Sequence, residues 1–283
     1  MLATATRVRT IGIIGLAVVS GCGGGRAIPS ARFDPTVVAR PADGRSLTTH
    51  EAAVRRIATI LADLLALPVP EQVTVYVYSS REVFEQGLVQ DGQVSPTRAA
   101  ELSDFAVGVS KRRQLLLNED GSRRTAREWL RLIAHELTHV AQIELAQGEG
   151  RAEQWLAEGM AEWSAFTVLE HLGLDTLARR RDVAVAGIRP HAPFGAPRLD
   201  LESLGSPRGF TVRHLREGSL AIYQLAFLMT DYLVQRHGFS RVVEYFSSLA
   251  QGRDRRRQFE RAFGQTLEEF ESEIVTHLNR IVG

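Results

Sequence analysis

His135-Glu136-Leu137-Thr138-His139 lies inside an apolar pattern of helical period whose members are Trp129, Leu130, Leu132, Ile133, Leu137, Val140 and Ile143. Histidines four residues apart on a helix project from one face, about one turn apart. Two imidazoles so placed can reach one zinc ion at about 2.0–2.1 Å, and a glutamate directly after the first can lie beside the metal-bound water without ligating. Alone, the pentapeptide also fits a pair of core histidines on a buried helix face. A catalytic zinc needs a third protein ligand and one open position. Trp155-Leu156-Ala157-Glu158-Gly159-Met160-Ala161-Glu162-Trp163 offers that ligand in Glu158. Eighteen residues separate it from His139, room for one helix to end near Gly148-Glu149-Gly150 and an antiparallel one to begin.

On the N-terminal side of this pair, Thr48–Leu67 is expected as an amphipathic helix capped by Thr48 or Thr49 and stopped by Pro68. Val73–Tyr78 is β-branched and aromatic and predicts a strand, and Phe105–Val109 with Gln114–Leu117 predicts a strand pair turning at Lys111-Arg112-Arg113. Helical periodicity then covers about 123–147, 152–172, 218–237, 239–250 and 266–281, with a less regular stretch at about 183–214 that is expected to border a cleft. The organisation is α+β, a small sheet with a leading helix followed by a mostly helical half. The apolar run Leu220–Val234 is interrupted by Gln224 and Asp231 and reads as core rather than membrane span. Arg179-Arg180-Arg181 and Arg255-Arg256-Arg257 read as solvated faces.

On these residues the chain resembles the gluzincin metallopeptidases, the thermolysin-like and aminopeptidase-N-like enzymes, and within them the small stand-alone peptidase-MA-like members with a Trp-Leu-x-Glu-Gly-x-Ala-Glu string. The likeness spans roughly 70–280 and is specific at 135–162. It implies a thermolysin/gluzincin-like catalytic domain in which His135, His139 and Glu158 hold Zn2+ and Glu136 is the general base. Glu162, one turn beyond Glu158, resembles the acid that orients a ligand histidine. The oxyanion donor of the related enzymes is a Tyr or His from a later helix, here Tyr223 or His214, with Tyr223 preferred. His50, His171, His191, His237 and His277 lack partners at ligand spacing. No Gly-x-Met-Glu-Asn segment precedes the zinc motif, so capture of a free substrate N-terminus is unsupported and endopeptidase action on a peptide or protein is expected. A purely structural zinc site would not need Glu136. The alternative is a zinc-binding envelope scaffold or recognition lipoprotein without turnover.

The remaining sequence places this domain in a compartment. Arg7 and Arg9 precede an apolar stretch, Ile11–Val19, about half a bilayer core in length, which fits an export signal better than a membrane span. Val19-Ser20-Gly21-Cys22 resembles the lipobox of bacterial lipoproteins, in which Cys22 becomes the lipidated N-terminus; Gly23 after it resembles lipoproteins sent to the outer membrane of a double-membraned cell. The expected division is a signal peptide at 1–21, a lipidated cysteine and flexible tether at 22–46 and the zinc domain at 47–283. Cys22 is the one cysteine of the 283 residues, which excludes an internal disulfide framework and a cysteine metal cluster. With 44% hydrophobic and 24% charged residues the composition is that of a globular protein. The net charge of +1 lacks the basic footprint of a nucleic-acid binder, so no nucleic-acid partner is expected.

Overall fold

The computed structural model describes residues 36–39, 49–119, 125–195, 199–252 and 254–283. The expected signal peptide, Cys22 and most of the tether lie outside the described residues. The architecture is α+β, built on a four-stranded mixed sheet of order β1-β2-β4-β3. Its strands are β1 (Thr36–Ala39), β2 (Gln72–Tyr78), β3 (Gly108–Lys111) and β4 (Gln114–Asn118). β2 and β4 run parallel with Val75 opposite Leu115; β1 pairs antiparallel with β2, and β3 antiparallel with β4, Gly108 opposite Leu117. β1 falls inside the stretch expected as tether at 22–46 and is instead an edge strand of the sheet. Its four residues are too few for an alternating pattern to be read from sequence.

Side chains alternate across the sheet, as a period of two requires. Val73, Val75, Val77, Leu115 and Leu117 enter the main core, while Tyr78 and Leu116 enter a second, smaller one. The main-core face is covered by α1 (His50–Leu65) and α4 (Ala126–Ala146). Thr49 caps α1 by accepting from the Ala52 N–H, and α1 ends at Ala66 in a left-handed conformation, two residues before Pro68. The smaller core is covered by α2 (Arg81–Gln90) and α3 (Pro96–Phe105), which the apolar pattern did not announce. Their few buried residues, Val83, Phe84, Leu88 and Ala99, are too sparse for a sustained period. Phe105, expected to open a strand, is the last residue of α3. Lys111, expected at a solvated tip, donates from Nζ to the Gly92 carbonyl at 2.8 Å, leaving Arg112 and Arg113 as the turn.

The helical half consists of α5 (Gln154–His171), α6 (Leu177–Ile188), α7 (Leu201–Leu204), α8 (Pro207–Glu217), α9 (Ser219–His237), α10 (Phe239–Ser248), α11 (Arg255–Phe263) and α12 (Leu267–Val282). The stretch at 183–214 is therefore largely helical rather than irregular. α4 begins with a capping box in which Thr125 and Glu128 satisfy each other's end of the first turn, a device that contributes about 1 kcal/mol. α5 is buried on nearly every side and crosses α9 closely. Gly159 permits this: a Cβ there would collide with Thr230 Oγ1 and the Ala226 carbonyl of α9. The arginine runs are solvated only in part: Arg179 and Arg257 are exposed, whereas other members turn to buried acids. Arg180 pairs with Asp175, Arg181 with buried Asp231 at 2.7 Å, and Arg255 with buried Glu153 at 2.8 Å. Among the described residues no helix is long and apolar enough to cross a membrane.

Candidate metal centre

α4 and α5 pack side by side and bring the two motifs together. His135 Nε2 and His139 Nε2 stand 3.1 Å apart, and Glu158 Oε2 lies 3.3 Å from each. A tetrahedral zinc with bonds of about 2.0–2.1 Å spaces its ligand atoms about 3.3–3.4 Å apart, so this triangle has the size of one face of that tetrahedron. Glu158 Oε2 is buried, with the two imidazole nitrogens as its near polar neighbours, as suits an atom that shares a cation with them. Its other oxygen accepts from Gln154 Nε2 at 2.7 Å. These three residues form a group of metal-ligating type among the described residues, and their donor set suits zinc.

Neighbouring groups fix which imidazole nitrogens are available. Gln142 spends its Nε2 on the Ala157 carbonyl at 2.9 Å, so its Oε1 faces His139 Nδ1 at 2.8 Å and must accept a proton from it. The His139 lone pair is then on Nε2. His135 Nδ1 lies 3.2 Å from the Glu162 Oε1 carboxylate oxygen, whose charge favours a proton on Nδ1 and a lone pair on Nε2. Two lone pairs 3.1 Å apart repel unless a proton or a cation lies between them. Glu162 is itself held by Arg131, whose Nη1 reaches its Oε2 at 2.6 Å.

The electrostatics agree with a cation site. Burial disfavours a charged His135, but hydrogen bonding and Coulomb attraction from Glu158 and Glu162 outweigh it and push the imidazole up to about 10. His139 moves upward for the same reason, burial being outweighed chiefly by Glu158. Burial would raise the two carboxyls; instead the imidazoles hold Glu158 far below the usual range, and Arg131 with His135 holds Glu162 down to about 2. Both carboxylates are thus held in the ionised form near neutral pH, and their field attracts positive charge to the triangle.

Glu136, beside the triangle on the same helix, is anchored from the sheet. Ser110 Oγ on β3 stands 2.6 Å from Glu136 Oε2 and 2.7 Å from the Glu136 carbonyl oxygen. Gly108 makes the space: a Cβ there would sit 2.6 Å from Glu136 Oε1. His135, Glu136, His139, Glu158 and Tyr223 all line one cleft of about 260 Å³. Tyr223 lies on α9 with its ring 6.0 Å from that of His135. His214 does not line this cleft; its ring packs on Tyr223 at 5.8 Å and on Phe105 at 4.9 Å. The stretch at 183–214, expected to border the cleft, instead supports its wall through Phe210 and His214, both packed on Tyr223.

Ser110, Gly108, Gln142, Gln154 and Arg131 complete the site and were not singled out from the sequence. For three of them a signal existed: Arg131 precedes His135 by four residues, Gln142 follows His139 by three, and Gln154 precedes Glu158 by four. At those spacings a polar residue on a ligand-bearing helix is a neighbour of the ligand. Ser110 and Gly108 come from a strand whose register only the fold provides. Compared with protein-family models and with curated proteins, the chain matches none, so its likeness to gluzincins rests on the residues at 135–162 themselves.

Proposed function

We propose that this chain is a zinc-dependent metallopeptidase of the bacterial cell envelope, exported, anchored through a lipidated Cys22 and hydrolysing internal peptide bonds. The observation that carries this reading is the convergence of His135 Nε2, His139 Nε2 and Glu158 Oε2, all within 3.3 Å of one another, in a cleft that Glu136 also lines. Zinc held by His135, His139 and Glu158 would supply Lewis acidity and make water in the cleft more acidic. Glu136, its carboxylate held in place by Ser110, would accept a proton from the attacking water and return it to the leaving amine. Tyr223 would donate a hydrogen bond from its hydroxyl to the oxyanion that develops on the scissile carbonyl. Burial, reinforced by Glu158, Glu136 and Glu162, keeps its hydroxyl protonated well above the usual tyrosine range. Glu162 and Gln142 hold the two imidazoles in the ligating tautomer.

Endopeptidase action is favoured by the position of β3. It is an edge of the sheet, and Gly108, Val109 and Ser110 border the cleft. An extended substrate laid beside that edge gains backbone hydrogen bonds as an added strand, which needs no free terminus.

Metal content by mass spectrometry on the purified chain, beside its Glu158→Ala variant, tests the site. About one tightly held zinc per chain, weakened in the variant, is expected. No zinc in well-folded protein after supplementation overturns the reading. Zinc without hydrolysis of any member of a broad peptide library makes the chain a zinc-binding envelope scaffold instead.

A further inference from the structure

Beyond the metal triangle the cleft runs along α4 towards its C-terminal end, past Gln142, Ile143 and Ala146, to the loop Gly148-Glu149-Gly150-Arg151. Arg151 is the cation that lines it there, where the other charged lining residues besides the two histidines are Glu136, Glu149 and Glu158. Its Nη1 donates to the carbonyls of Ala146 at 3.1 Å and Leu249 at 3.4 Å, the C-terminal ends of α4 and α10. Among the described residues Nε and Nη2 have no acceptor, and no carboxylate pairs with the guanidinium. The Nε–Nη2 edge is the one that takes a carboxylate through two parallel hydrogen bonds.

This edge lies beside Gly148, where the missing side chain leaves room next to it. A Cβ on Gly148 would stand 2.8 Å from Nε and 3.2 Å from Nη2, so any other residue would displace or cover the fork. Gly150 has φ +63°, a conformation that favours glycine, and it too brings no side chain to the cleft. Two helix C-termini fix the guanidinium by one nitrogen and partly offset its charge, while the fork that recognises carboxylates remains available.

We infer that Arg151 is a specificity-determining residue that selects substrates bearing a carboxylate at the far end of the cleft. The inference rests on the metallopeptidase reading for the meaning of the cleft. Ala146 lies seven residues beyond His139, about 10 Å along the helix axis. An extended peptide covers that distance in about three residues. The carboxylate therefore belongs either to an acidic side chain about three positions from the scissile bond or to a free C-terminus at that distance, and the chemistry recognised is the same.

Fluorescence anisotropy with dye-labelled short alanine–leucine peptides tests this on the zinc-loaded full chain carrying Glu136→Gln, which binds without turning over. One peptide is compared as free C-terminal acid and as amide; amidated versions carry glutamate or glutamine at each position in turn. The acid, or the peptide with glutamate at one position, is expected to bind about tenfold more tightly than its neutral partner. The first pair identifies a terminal carboxylate and the second a side chain. Added Arg151→Gln should abolish the preference while leaving the neutral peptides bound as before. Equal binding of every acid and its neutral partner overturns the inference without any Arg151 variant. So does a preference that survives Arg151→Gln, or a variant that weakens neutral and acidic peptides alike, the signature of a helix cap only. Neutral peptides cleaved by the unsubstituted chain with no carboxylate preference sink this inference and leave the peptidase reading standing. Zinc-loaded protein that neither binds nor cleaves any peptide sinks both.

Discussion

Buried carboxylates at two places on and beside one helix titrate in opposite directions. At the N-terminal end of α5, Glu153 is fully buried and its carboxyl is pushed up to about 7, because loss of water outweighs the Arg255 guanidinium 2.8 Å away. One to three turns further on, Glu158 and Glu162 are nearly as cut off from solvent, yet both are held well below the usual carboxylate range. What differs is the set of positive or proton-donating neighbours: two imidazoles face Glu158, and an imidazole and a guanidinium face Glu162. Burial alone neutralises an acid; burial among cations keeps it charged. The proposed dication site needs the second arrangement, and a structural anchor can tolerate the first.

The sharpest separation of these two ends should come from Glu136, the proposed general base. Glu136→Gln keeps the shape of the side chain and its contact with Ser110 but removes the proton acceptor. Hydrolysis is expected to fall about 10³-fold with zinc content unchanged, measured as kcat/KM on a peptide that the parent chain cleaves. The matching change at the other end, Glu153→Gln, should leave kcat/KM within about threefold, since Glu153 is not on the cleft. Parity between the two variants would dissolve the proposed division of labour.

Next in size is the packing that keeps both ends dry. Gly159→Ala forces a methyl group into Thr230 and the Ala226 carbonyl of α9, where backbone cannot move away. A loss of about 2–3 kcal/mol is expected in denaturant unfolding. Because α9 carries Tyr223, the substitution should also lower activity more than it lowers zinc content.

Glu162 separates orientation from ligation. Glu162→Gln retains a hydrogen-bond acceptor for His135 Nδ1 but loses the charge that Arg131 balances. Zinc affinity is expected to drop about 10–100-fold in competition with a chelator, whereas Glu153→Gln should leave it alone. An unchanged affinity in Glu162→Gln would mean that His135 is oriented by packing rather than by this carboxylate.

How much of this was legible follows the same physical line. The helices that carry the candidate ligands could be read because α4 and α5 have long apolar patterns with polar residues at fixed helical spacing, and a helix makes spacing into geometry. The sheet core was visible at Val73–Tyr78 for the corresponding reason of period two. α2 and α3 were not, since their one-sided contact with a small core leaves few apolar positions. β1 was hidden because a four-residue edge strand owes its existence to β2, not to its own sequence. The arginine runs were legible only in part because Asp231 and Glu153 are far in sequence from Arg181 and Arg255, and pairing across the fold cannot be counted along the chain. Ser110 reaches Glu136 across 26 positions for the same reason.

The most delicate signal concerns pH, and it isolates the Glu153 end. A carboxyl whose folded pKa is about 7 binds its proton more tightly in the folded chain than in the unfolded one, where the value is near 4.5. Between those two values the folded state carries the extra proton, so this group's contribution to stability declines as pH rises from about 4.5 to about 7. Below that window the group is protonated in both states, and above it charged in both, so the slope vanishes on either side. For one proton the slope reaches at most about 1.4 kcal/mol per pH unit. Denaturant unfolding at several pH values, comparing the parent chain with Glu153→Gln, should show the variant's stability holding steadier across that interval. The experiment belongs in zinc-saturated protein, so that the proton affinities of His135 and His139 do not enter the difference. If the two curves run parallel, then Arg255 outweighs burial, Glu153 is ionised throughout, and both ends of α5 obey the same rule after all.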